Sequence, residues 1–99
     1  MSEAILRMLG KRWTLPILGI VGSKEAMRFG EIKKALAGIS GTVLSERLSE
    51  LEREELIAKT HNSSKIEYRL TDSAKELAIM LAELGRRWPA RHVIALSVE

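Results

Sequence analysis

Ninety-nine residues, 45% apolar and 29% charged, with two histidines and no cysteine, describe a single folded domain of a size at which a partner subunit often completes the burial. Disulfides, thiolate zinc sites and thiol-based redox sensing are excluded; His61, His92 and Asp72 are scattered without ligand spacing and the glycines form no phosphate loop, so neither metal nor cofactor is expected. The longest apolar stretch, Thr14 to Gly22, is well short of the ~20 residues that span a bilayer, and Glu3 interrupts what would be a signal peptide's leading segment, so a cytoplasmic protein with no membrane partner is expected.

In chain order, Ser2 to Leu9 places Ile5, Leu6 and Leu9 at helical spacing, and Gly10 is set to end a short first helix. Trp13, Ile17, Ile20 and Val21 repeat with the same period behind Thr14, a candidate N-cap, with Pro16 in the first turn where its missing N–H costs nothing. Ala26 to Arg28 reads as a stub of strand. Phe29, Ile32 and Leu36 then form a short third helix closed by Gly38, and Ser40 offers an N-cap oxygen to a fourth, over about 41–54. In that fourth helix Leu44, Leu48 and Leu51 make a core stripe. At 100° per residue, Ser45, Glu46, Ser49 and Arg53 fall within about 60° of Thr42, on the side opposite the leucines.

From Leu56 the period changes to two. Ile66, Tyr68 and Leu70 alternate with Glu67 and Arg69, and Leu56 to Thr60 pairs with them across a polar tip of His61, Asn62, Ser63, Ser64 and Lys65, which predicts a hairpin over about 56–70. Thr71 caps a long last helix, about 72–88, in which Leu77, Met80, Leu81, Leu84 and Trp88 recur at three- and four-residue intervals. Pro89 ends, kinks or restarts it, and residues 90–99 favour a short helix.

Two short helices joined by a tight turn, the second with a small-residue face and followed at once by a hairpin, predict a mainly α winged helix-turn-helix in one domain over 1–99. Short Thr and Ser side chains let a helix backbone approach base edges in a major groove while offering donors and acceptors. Charge supports this: residues 1–39 sum to +4, 40–57 to −3 and 58–99 to +2, so positive charge flanks the fourth helix. Base readout is expected from Thr42, Val43, Ser45, Glu46 and Ser49. Phosphate contacts are expected from Lys33, Lys34, Ser40, Arg47, Arg53, Lys59, His61, Asn62, Lys65 and Arg69, with an internal salt bridge an equal alternative for Arg47. The apolar surface of the last helix exceeds what one small domain can cover, so Ile5, Leu9, Leu77, Met80, Leu81, Leu84 and Trp88 are expected at a twofold interface.

The segments LGKRWTLPIL, MRFGEIKKALAGIS, LSERLSELEREELI and IEYRLTDSAKELA, in this order and spacing, give the chain from about Leu6 to Trp88 a resemblance to the HxlR-type winged-helix transcriptional regulators. The resemblance implies a homodimeric repressor or activator on a palindromic operator, each recognition helix in a major groove and each wing at an adjacent minor groove or backbone. Three departures stand out. Gly41, Thr42 and Val43 replace a common Pro-Lys-Thr, removing a frequent basic contact at Thr42. Glu55 stands where a glycine often follows the recognition helix, and Ala74 where one is common in the last helix. Some relatives sense electrophiles or oxidants through a cysteine, which this chain lacks, so a small-molecule effector, if there is one, acts otherwise. A winged helix serving only protein–protein contact is the alternative, kept open by the acidic run Glu50, Glu52, Glu54 and Glu55. An enzyme is the weakest reading, since no nucleophile and base are placed together.

Overall fold

The structure is a computed structural model that describes residues 3–87. It contains α1 (Glu3–Leu9), α2 (Thr14–Gly22), α3 (Phe29–Ala35), α4 (Gly41–Arg53), β1 (Ile57–Asn62), β2 (Lys65–Leu70) and α5 (Asp72–Arg87). Trp88 and the ambiguous segment 90–99 lie outside the described residues. No helix among the described residues is long and apolar enough to cross a membrane.

The uncharged sequence of α2 suits it to the centre, and it packs against α1, α3, β2 and α5. Ile17 and Val21 are fully buried and Leu18 nearly so, and around them gather Ile32 of α3, Leu44, Leu48 and Leu51 of α4, Ile57 of β1 and Leu70 of β2. Close approach occurs where α2 ends: a Cβ on Gly22 would sit 2.8 Å from Leu70 Cδ1, so a larger residue there would make that buried leucine shift.

Entry into α2 differs from the expectation for Thr14. Trp13 takes the N-cap position in the left-handed conformation, φ 79°, and Thr14 turns inward as the first helical residue. It is fully buried, and its hydroxyl has no hydrogen-bond partner among the described residues. Leu36, not Gly38, caps the C-terminus of α3, while Gly38 serves the connection to α4 with φ +94°. A Cβ there would lie 4.0 Å from Trp13 Cη2, so the indole covers the turn between α3 and α4.

The expected strand stub is a single bridge in which Met27 N–H donates to Tyr68 O at 2.9 Å and Tyr68 N–H to Met27 O at 2.7 Å. The hairpin is longer than its hydrophobic pattern: β1 and β2 pair antiparallel from Ile57↔Leu70 out to Asn62↔Lys65. The turn is therefore two residues, not five. Ser63 and Ser64 both have positive φ, 50° and 69°, the geometry of a type I′ turn, whose twist matches that of the strands. At the other end, Thr71 caps α5 as expected, its Oγ1 accepting from Ala74 N–H at 3.2 Å and donating to Glu55 O at 2.7 Å.

Candidate nucleic-acid interface

Three features hold α4 in place. Ser40 Oγ accepts from Val43 N–H at 3.1 Å, satisfying one of the free donors at the helix start. Leu44, Leu48 and Leu51 are at most 1% exposed, which locks the rotation of the helix about its axis. At the far end Glu55 N–H donates to Glu52 O at 3.0 Å and Leu56 N–H to Leu51 O at 2.9 Å, the paired bonds of a Schellman motif with Glu55 left-handed at φ 60°.

With the leucines facing in, the opposite side is bare. Thr42, Ser45, Glu46 and Ser49 are exposed, and their side chains have no hydrogen-bond or ion-pair partner among the described residues. Val43 departs from the base-contact expectation. It lies on the flank of α4, half-buried and packed against the core, because its rotation places it between the leucine stripe and the open side.

For Arg47, where phosphate contact and internal salt bridge are equal expectations, the salt bridge is present: its Nη1 donates to Glu50 Oε1 at 2.9 Å and its Nε to Arg12 O at 3.3 Å, so it braces α4 against the α1–α2 connection. Lys11 Nζ reaches the other carboxylate oxygen of Glu50 at 2.8 Å. Burial pushes the Glu50 pKa up, but the Lys11 hydrogen bond and the Arg47 charge outweigh it and leave the carboxyl below its usual range. Arg12 itself stacks over Trp13, its guanidinium carbon 5.1 Å from the ring centroid, so this cluster also supports the indole covering the α3–α4 turn.

Lys33 and Lys34 are exposed in the last turn of α3. The Lys33 stem runs over the start of α4, its Cε 3.8 Å from where a Cβ on Gly41 would be. Arg53 is exposed farther along α4 and lines a shallow groove with Ala4, Arg7, Met8, Lys11, Glu50 and Glu54. In the hairpin Lys59, His61, Asn62, Lys65 and Arg69 are all exposed. Its register divides them: Lys59 pairs with Tyr68 and His61 with Ile66 on one face, whereas Asn62 pairs with Lys65 and Ala58 with Arg69 on the other.

For the expected twofold surface, Met80 is 59% exposed, but Leu9 and Leu77 are partly spent on the protein's own core. Ile5, Leu81 and Leu84 are half-buried, and Trp88 lies outside the described residues. Two residues absent from the expectation are more exposed than most of those on it, Leu6 at 59% and Ile79 at 68%. Ile79 precedes Met80 on α5, and an apolar pair on a helix's outer side is the signal that could have marked it. No group of three or more His, Asp or Glu able to hold a metal occurs among the described residues.

Residues 8–95 match the profile of the HxlR-like helix-turn-helix family. The chain is 40% identical to the HTH-type transcriptional regulator YvaP of Bacillus subtilis, over 85% of this chain and 80% of that protein, and 34% identical to YdzF of the same organism, over 83% and 78%. Among solved structures, the reduced form of the B. subtilis transcriptional regulator YodB superposes with TM-score 0.76 at 32% identity, covering 83% of this chain and 82% of that one. A possible HxlR family transcriptional factor from Thermoplasma volcanium superposes over the whole chain and 88% of its own, with TM-score 0.78 at 24% identity, a likeness of fold.

Proposed function

Because this chain belongs to the HxlR-like helix-turn-helix family and is a DNA-binding transcriptional regulator, we propose that it acts as a homodimer on a palindromic duplex operator, reading bases with the open side of α4. The observation that carries this reading is the unpartnered polar side of α4, Thr42, Ser45, Glu46 and Ser49, held outward by three buried leucines and closed at both ends by hydrogen-bonded caps. A rigid helix with short side chains can seat its backbone near base edges without first breaking internal bonds. Lys33 and Lys34 beside it, with Arg53, would neutralise backbone phosphates next to the major groove. The hairpin would lie against the neighbouring minor groove or backbone and contribute Lys59, His61, Asn62, Lys65 and Arg69. Ser40 is committed to its cap as an acceptor but keeps its hydroxyl proton for a phosphate oxygen.

The exposed Leu6, Ile79 and Met80 on α1 and α5, together with Ile5, Leu81 and Leu84, are the surface assigned to the partner copy. A twofold axis there would space two recognition helices by about one helical turn of DNA, roughly 34 Å. Two measurements test the proposal together. Sedimentation at micromolar concentration is expected to give a dimer. Titration of a selected duplex is expected to show log affinity falling with log salt at a slope of about −5 to −7, as for about 6 to 8 neutralised phosphates. A monomer would remove the twofold arrangement, and binding indifferent to salt would remove the electrostatic docking.

A further inference from the structure

Along α4 the charged residues are Glu46, Arg47, Glu50, Glu52 and Arg53. Arg47 and Glu50 are tied to each other, and the second oxygen of Glu50 is held by Lys11. Arg53 follows Glu46 by seven residues, about 10 Å farther along the axis at 1.5 Å per residue. On the first two turns of the open side, therefore, one free charge remains among the described residues, and it is negative. The protein as a whole carries +3, and Lys33 and Lys34 of α3 and Lys59 and Lys65 of the hairpin are exposed cations on the elements that flank α4 in the chain.

A carboxylate lowered between two rows of phosphates is repelled by both and loses water as it enters. It is tolerated there only where it receives hydrogen bonds. In the major groove the donors offered by base pairs are the amino groups of cytosine and adenine; guanine and thymine present acceptors and a methyl group on that edge. An adenine also sets its N7 acceptor beside its amino group, which suits an amide better than a carboxylate, whereas cytosine offers its amino group without an adjacent acceptor of its own. The neighbouring Thr42, Ser45 and Ser49 hydroxyls donate or accept equally well, so they tolerate several bases. On these first two turns Glu46 alone makes a demand of one sign.

Resting on the DNA-reading assignment of α4, we infer that Glu46 is the base-specificity determinant of the recognition helix and accepts a hydrogen bond from the 4-amino group of one cytosine in each half-site. The test uses the full chain and its Glu46→Gln and Glu46→Ala variants, with circular dichroism and thermal melting to show that each is folded, as an exposed side chain without partners allows. Selection from randomised duplex DNA by the wild type is expected to enrich one C·G pair per half-site, and replacing that pair is expected to weaken wild-type binding roughly 5- to 150-fold. Glu46→Gln is expected to lose the preference for cytosine there, gaining adenine, and Glu46→Ala to lose preference altogether, with the other positions of the site unchanged. The inference is overturned if both variants tighten binding to all duplexes by one common factor and leave the selected sequence as it was, since Glu46 would then be only a repelling charge. It is equally overturned if the wild type selects no cytosine at any position. Selection of no duplex at all would remove the DNA-reading assignment together with it.

Discussion

Glu50 shows how one side chain can be committed twice. Its carboxylate receives Lys11 from the α1–α2 connection and Arg47 from its own helix, and Arg47 in turn reaches the Arg12 carbonyl. Periodicity cannot reveal such an arrangement, since the partners lie 35 and 39 residues apart and only the folded chain brings them together. Arg47 is therefore readable from the sequence only as a flank residue, with phosphate and salt bridge equally open, and the tertiary contact supplies the salt bridge. The bond network carries a pH signature. With the folded pKa of Glu50 below its ordinary 4.5, the carboxylate contributes stability that is full above 4.5 and is lost as pH falls through the lower folded value. Lys11 is 44% exposed, so screening keeps the contribution small. Glu50→Gln is expected to destabilise by about 1 kcal/mol or less at neutral pH, and to flatten the loss of stability with acid below 4.5. Denaturant titrations at pH 7 and at descending acid pH check both; an unchanged acid limb would show that the carboxylate is not held by these cations.

Among the elements, those with a strong period were legible, and the turns between them were not. The leucine stripe of α4 and the alternation of β2 follow from which side of each element is apolar, and all three leucines are buried as that pattern requires. Trp13, Glu55, Ser63 and Ser64 adopt positive φ without being glycine, so the residue type that normally marks a left-handed position is missing from the sequence at each one. That is why the turn of the hairpin reads as a five-residue tip and the entry into α2 as a threonine cap. Glu55 is the instructive case, because the HxlR-type pattern often carries glycine at this point and the backbone here demands what glycine supplies. A left-handed L-residue costs roughly 1–2 kcal/mol, and glycine returns about 0.5–1 kcal/mol of that as extra freedom of the unfolded chain. Glu55→Gly is thus expected to stabilise the protein by about 0.5–1 kcal/mol, a rise of a few degrees in Tm for a domain of this size. A fall in Tm would mean that the Glu55 side chain contributes more than its backbone costs.

For the molecule as a whole, order of elements, fold and the open side of α4 could be read in advance, whereas the surface assigned to a second copy could be read only in part. Helical spacing picks out apolar residues but does not say which of them the chain's own core will take: Leu9 and Leu77 go inward, and Leu6 and Ile79 are left outside. Charge raises a similar matter in the hairpin, where Lys59 and His61 emerge from one face and Lys65 and Arg69 from the other. Alanine at Lys59 and His61, and separately at Lys65 and Arg69, is expected to weaken binding to every duplex alike and to make the salt slope shallower, by about 0.9 for each phosphate left without its cation. A sequence-selective loss would instead assign the ribbon to base reading. If both pairs respond, the hairpin works as a blade charged on its two flats. Slid edgewise into a channel about 6 Å wide, such a blade would touch the opposite rails at once, so that its hold would depend on the width of the channel and, through that, on the A·T content of DNA lying beyond the bases any side chain reads.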